Sequence, residues 1–188
     1  MPEEEPLTLP ISEAAPGATA AERAAMLRVD QAGEYGATRI YAGQLAVMGS
    51  RHPAARAIAR MAVQEERHRR HFDALLVERR IRPTALAPLW NAAGFALGAA
   101  TALIGPEAAM ACTAAVETEI DRHYGDQLVK LGASDSALSE AIRDFQAEEV
   151  EHRDTAMAAG AEQAPAYPLL SAAIRLGCRI AIGLSQRV

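Results

Sequence analysis

Cysteine, aromatic side chains and basic clusters are all scarce in this chain, and each scarcity argues against a class of protein. The two cysteines among 188 residues, Cys112 and Cys178, have no Cys or His neighbour at ligand spacing. That speaks against a disulfide scaffold, a zinc finger and a thioredoxin-type redox pair, and both read as small apolar packers. Nineteen Lys and Arg against 24 Asp and Glu give a formal net charge of −5. The basic footprint that nucleic acid requires is therefore missing. Runs of β-branched residues are absent, and strict apolar/polar alternation nowhere persists for the length of a strand, so a sheet is not expected. Residues 1–20 hold Glu3, Glu4, Glu5 and Glu13 but no Lys or Arg, the reverse of an export or transit signal. With Pro2, Pro6, Pro10 and Pro16 in the same stretch, residues 1–19 are expected to be a flexible lead-in.

What the chain has instead is alanine and helix-length intervals between prolines. A length of 188 residues is enough to bury a real core without staples, and residues 20–188 are read as one domain. Two uninterrupted stretches, Pro16 to Pro53 and Pro53 to Pro83, each accommodate a helix of about 28 residues. A third, Pro106 to Pro165, is broken at residues 131–135, where Gly132 suits a helix C-cap and Ser134 or Asp135 an N-cap. The expected class is all-α, a four-helix bundle with two additional apolar helices.

Each long helix carries an apolar stripe at spacings of three and four, and each stripe is interrupted by charge. The second reads Ile58, Met61, Glu65, His68, Phe72, Leu75; the fourth reads Leu138, Ile142, Phe145, Glu149, His152, Ala156. Two Glu-x-x-His pairs thus face the core. The first stripe adds Glu34 and the third adds Glu117. Glu34 to Glu65 spans 31 residues and Glu117 to Glu149 spans 32, while Glu65 to Glu149 and His68 to His152 both span 84. The chain reads as a duplicated helical hairpin. At 1.5 Å per residue all six side chains lie roughly 18–24 Å from the first turn of their hairpin, at one level of the bundle. Four carboxylates converging in a core demand cations. One Glu from each of two helices plus Glu-x-x-His from the other two is the di-iron or di-manganese carboxylate arrangement, and mixed oxygen and imidazole ligation suits those metals. Tyr124, seven residues after Glu117, returns to nearly the same face and is a candidate catalytic phenol. His52, His71, Glu66, Glu119, Glu148 and Glu151 read as exposed, solvated or outlying groups. Asp30 and Glu148 are the candidates for orienting the imidazoles.

These residues sit in stretches that resemble the demethoxyubiquinone hydroxylases of ubiquinone biosynthesis, a branch of the ferritin-like di-iron proteins. The stretches are Arg28-Val-Asp-Gln-Ala-Gly-Glu34-Tyr-Gly-Ala37 with Ile40-Tyr-Ala-Gly-Gln44, Gln64-Glu65-x-x-His68, Met110-Ala-Cys-Thr113 leading to Ala115-Val-Glu117, Glu148-Glu149-x-Glu-His152, and Gly177-Cys-Arg179. The resemblance runs from about residue 25 to the C-terminus and departs at Val63 and Ala147, where acidic residues are frequent in the family. It implies Glu34, Glu65, His68, Glu117, Glu149 and His152 as ligands of two Fe ions, with Glu65 and Glu149 bridging. It implies a monooxygenase that uses O2 and an electron donor to hydroxylate a polyprenylated demethoxyquinol. It leaves room for a lipid-binding accessory protein and a homo-oligomer as partners. The alternatives are a ferroxidase, a rubrerythrin-like peroxidase, for which no Cys-x-x-Cys module is present, and a metal-free membrane-associated scaffold.

Such a quinol resides in a bilayer, which gives two unusual segments a task. Residues 83–106 carry no charge, and residues 163–188 carry only Arg175, Arg179 and Arg187. The first is long enough to span a membrane, but one span there would separate the two halves of the ligand set. Segments 83–106 and 166–186 are therefore expected to lie on the membrane surface, Gly94 and Gly98 permitting close helix approach. The expected location is the cytoplasmic face of the bacterial inner membrane, peripherally bound.

Overall fold

The computed structural model describes residues 17–49 and 52–188; the expected lead-in falls almost wholly outside them. Six α-helices and one short 3-10 turn account for the described residues, with no strand among them. The helices are α1 (Ala20–Met48), α2 (Pro53–Glu78), α3 (Ala87–Ile104), α4 (Pro106–Leu131), α5 (Ser136–Ala158) and α6 (Tyr167–Ser185). Their ends follow local chemistry. Thr19 and Glu22 form a reciprocal capping box at the start of α1, with 3.3 Å from the Glu22 amide to Thr19 Oγ1 and 2.8 Å back from the Thr19 amide to Glu22 Oε2. Gly132 ends α4, and Asp135, not Ser134, caps α5 by accepting from the Leu138 amide at 3.1 Å. Asp135 also pairs with Arg79 at the end of α2 and lies 3.8 Å from Arg23 of α1. One carboxylate thereby ties three helix ends together.

Helices α1 and α2 form one hairpin and α4 and α5 the other. Both α2 and α4 run in the same direction, so a return crossing must separate the hairpins. Helix α3 supplies it, running parallel to α1 and turning into α4 through Gly105 alone, whose φ of +154° is followed at once by Pro106. The α1–α3 approach is made by glycine. A Cβ on Gly98 would stand 1.9 Å from the Ile40 carbonyl oxygen, and one on Gly43 2.2 Å from that of Phe95. Helix α6 lies over α4 and α1, its end joined to the start of α3 by the Trp90 indole N–H donating to Ser185 Oγ at 3.0 Å.

Two apolar clusters fill the bundle, one at each end. Leu27, Phe72, Leu76, Leu131, Leu138, Ile142 and Phe145 pack at the α4–α5 turn; Ile58, Met61, Met110 and a set of alanines pack at the opposite end. The charged residues of the four stripes lie in the layer between. A third, smaller cluster holds Ile40, Cys112, Ala115, Val116 and Ile174, with Cys178 packed against it, and burial pushes both thiols up to about 12. Helices α3 and α6 stand outside this core, with only Gly98, Thr101 and Ala102 of α3 and Ile174 and Ser185 of α6 buried.

Candidate metal centre

The four bundle helices bring all six residues into one buried layer. Glu34 comes from α1, Glu65 and His68 from α2, Glu117 from α4, and Glu149 and His152 from α5, and none is more than 2% exposed. The i, i+3 offset turns each Glu-x-x-His pair inward from a single helix face. His68 Nδ1 lies 3.0 Å from Glu149 Oε1 and 3.4 Å from Glu34 Oε2. His152 Nδ1 lies 3.0 Å from Glu65 Oε1 and 3.2 Å from Glu149 Oε2. Two groups of four donor atoms, each within 4.8 Å of one another, result. One is Glu34, Glu65, His68 and Glu149; the other is Glu65, Glu117, Glu149 and His152. Glu65 and Glu149 belong to both.

Such a layer is electrostatically unbalanced by itself. Burial first, then the neighbouring carboxylates, pushes Glu65 and Glu117 well above the usual carboxyl range, and burial raises Glu149 as well. Burial pulls the His68 imidazolium down, yet the carboxylates of Glu149 and Glu34 outweigh it and lift its pKa to about 10. His152 is lowered by burial. Glu34 Oε2, both Glu65 oxygens and Glu117 Oε2 are buried without a well-formed hydrogen bond, despite His152 Nδ1 standing near Glu65. Buried acceptors left open in this way, gathered in two adjoining groups, fit divalent cations. The layer is a buried Glu/His group able to hold metal and compatible with a di-iron site.

The surrounding groups cross between hairpins. Tyr124 of α4 donates to Glu34 Oε1 of α1, and Tyr41 of α1 donates to Glu117 Oε1 of α4 at 2.6 Å. Burial, then the adjacent carboxylate, raises both phenols well above their usual value. His68 Nε2 donates to Glu148 Oε2 of α5 at 3.1 Å, while His152 Nε2 donates to Gln64 Oε1 of α2 at 3.0 Å. The Gln64 amide in turn donates to Glu148 at 3.2 Å, and Arg67 pairs with the same carboxylate. Phe145 stacks on His68 with 4.1 Å between ring centroids.

Several sequence expectations change. Tyr41 lies in the Ile40–Gln44 stretch but was not a candidate site residue. Its offset of seven from Glu34 repeats that of Tyr124 from Glu117, and the duplication is the signal that finds it. Gln64 is likewise found by its register with Glu148. Asp30 orients neither imidazole; it accepts from Gln127 Nε2 at 2.6 Å and lies 3.4 Å from His123 Nε2. Glu119 is not solvated but 2% exposed, because Arg175 and Arg179 of α6 fold over it, the former at 2.6 Å. His71 is half-buried in edge contact with Phe72 and Phe145.

A four-helix bundle with one long crossover and a core set of two Glu-x-x-His pairs plus two further glutamates has the architecture of the ferritin-like carboxylate proteins. Comparison with known proteins narrows this. The model of the ubiquinone biosynthesis protein COQ7 family matches residues 21–185, and the chain belongs to that family. It is 56% identical over 162 residues to the 3-demethoxyubiquinol 3-hydroxylase of Rhodospirillum rubrum, covering 86% of this chain and 76% of the relative. The human mitochondrial NADPH-dependent 3-demethoxyubiquinone 3-hydroxylase is 51% identical over 167 residues, covering 87% and 76%. The mitochondrial 5-demethoxyubiquinone hydroxylase of Saccharomyces cerevisiae is 42% identical over 179 residues, covering 87% and 77%.

Proposed function

We propose that this chain, like the relatives named as demethoxyubiquinol and demethoxyubiquinone hydroxylases, hydroxylates the ring of a polyprenylated demethoxyquinol, and that it does so with O2 at a centre of two iron ions. The observation that carries the reading is the pair of four-atom donor groups sharing Glu65 and Glu149. Glu34, Glu65, His68 and Glu149 would hold one ion, and Glu117, Glu149, His152 and Glu65 the other. Iron bound there supplies the redox chemistry by which one atom of O2 enters the ring and the other leaves as water, two electrons coming from a donor. For the human relative the name gives that donor as NADPH, and a reduced nicotinamide is proposed here.

The chain's own groups do the rest. The Tyr41 and Tyr124 hydroxyls hold the two unshared carboxylates in place, and Tyr124 can pass a proton to Glu34 through its hydrogen bond. Phe72, Phe145 and the two apolar clusters keep the layer dry, which strengthens its electrostatic interactions.

Delivery of the substrate falls to α3 and α6. Each is long and apolar enough to cross a membrane by length and composition. With α3 packed along α1 and α6 along α4, they turn Leu89, Phe95, Leu103 and Ile104, with Leu169, Leu176, Ile180 and Leu184, outward. This supports peripheral attachment to the membrane that holds the quinol. The deciding experiment deletes the gene and identifies the accumulating quinone. A demethoxyquinone that disappears on complementation with wild type, but not with Glu149→Ala, supports the reading; an unchanged quinone pool refutes it.

A further inference from the structure

The six inner residues are disposed with near two-fold symmetry, since each hairpin gives one Glu, one Glu-x-x-His and one Tyr that reaches across to the other hairpin. The groups behind the imidazoles break that symmetry. Gln64 and Glu148 occupy equivalent positions, each one residue before a shared glutamate, and each accepts from the imidazole of the opposite hairpin at almost the same distance, 3.0 and 3.1 Å. One is a neutral amide and the other a carboxylate. The Gln64 orientation is fixed because its Nε2 donates to Glu148, leaving only Oε1 for His152. An imidazole N–H donating to a carboxylate makes the opposite ring nitrogen a stronger electron donor than one donating to an amide. Arg67 pairs with Glu148 and offsets part of its charge, but Glu148 keeps a second oxygen, Oε2, as the anionic acceptor for His68.

A second asymmetry points the same way. One turn before Glu34 stands the buried Asp30, held by Gln127 and facing His123, whereas the equivalent position before Glu117 is Thr113, whose buried hydroxyl has no partner. Both additional acids therefore lie around the half built on Glu34 and His68.

Resting on the two-metal reading above, we propose that the two halves of the centre are unequal, that the Glu34–His68 half takes a divalent cation before the Glu117–His152 half, and that Gln64 and Glu148 are the positioning residues that set this order.

The test adds Mn(II) stepwise to the metal-free full-length chain without O2 and follows bound metal by calorimetry and electron paramagnetic resonance. Two resolved steps are expected, the first tighter by about 10- to 100-fold, the range typical of losing an outer hydrogen-bond partner of a metal ligand. Glu34→Ala should remove the tight step and Glu117→Ala the weak one. Glu148→Gln should weaken the first step toward the second with helicity unchanged, and Gln64→Glu should tighten the second. A gain of affinity cannot arise from damaged structure. Equal steps in the wild type, loss of the tight step in Glu117→Ala, or an unchanged ratio in a folded Glu148→Gln would each overturn the proposal. Were Glu148→Gln not to fold, the wild type and the two alanine variants decide the order, and Gln64→Glu, where an unchanged second step would refute it, decides the positioning role. Failure of the wild type to take up Mn(II) at all would instead sink the metal reading itself.

Discussion

Glu65 and Glu149 each offer oxygens to both groups of donor atoms, whereas Glu34 and Glu117 each serve one. Substitution should reveal that difference directly. Glu65→Ala or Glu149→Ala is expected to leave fewer than one tightly held metal per chain, and Glu34→Ala or Glu117→Ala about one, read by elemental analysis after reconstitution. Two metals retained in Glu149→Ala would contradict the sharing. Tyr41→Phe removes the one hydrogen bond to buried Glu117 Oε1 that comes from a phenol and should destabilise by about 1–3 kcal/mol, measured by urea denaturation. At this scale the six inward residues were legible because glutamate and histidine interrupt apolar stripes at fixed spacing. Of their supporting groups Tyr124 and Glu148 were candidates from the sequence, whereas the partners of Asp30, Gln64 and Glu119 are supplied only by the opposite hairpin or by α6.

The four bundle helices could be read from proline and glycine punctuation, closely where Pro53, Pro106, Gly132 and Asp135 mark an end, whereas the start of α1 and the ends of α1, α2 and α5 lie several residues from the bounding prolines. Helices α3 and α6 could be read as apolar, but not where they lie. Close packing of α3 on α1 rests on Gly98, so Gly98→Ala should clash with the Ile40 carbonyl and cost about 1–3 kcal/mol, lowering Tm by several degrees. Gly36→Ala, with open space at its Cβ, should instead hold or raise Tm. For the membrane, Leu97 is a poor target although it lies in the apolar segment, because it is partly buried against the cluster that contains Ile40 and Ile174. Leu103, 75% exposed, and Leu176, 55% exposed, are the outward pair. Leu103→Glu with Leu176→Glu is expected to reduce co-sedimentation with anionic vesicles by about 30-fold or more while metal content stays at the wild-type level. Vesicle binding equal to wild type would remove the membrane role of these helices.

Across the whole molecule, the buried layer links stability to pH and to metal. Glu65, Glu117 and Glu149 have folded pKa values raised above the ordinary 4.5, so the stability they give as neutral acids is complete below that value and is lost as pH rises through the raised ones. His68, raised from 6.5 to about 10, contributes stability that is likewise present below 6.5 and lost toward 10. His152, lowered, has the opposite sign and weakens the fold only as pH falls below 6.5, and Glu66 and Asp135, both lowered, lose their contribution at acid pH. The metal-free chain should therefore be most stable at about pH 5–6 and its Tm should fall toward pH 8. Metal saturation should reverse that fall, because the ionised carboxylates then face cations; thermal melts with and without chelator check this, and a metal-free Tm that rises from pH 6 to 8 would contradict it. The sequence by itself determined the helices, the duplicated hairpin and the depth at which six ligand-type residues sit, because helical period and residue spacing convert directly into facing and height. Only the tertiary structure decided which residues serve each half of the layer, that hydrogen bonds cross from one hairpin to the other, and that α3 returns along α1 rather than leaving the bundle. Those outcomes depend on groups distant in sequence meeting at hydrogen-bond range and on backbones approaching where a glycine lacks a Cβ, and no local pattern encodes either.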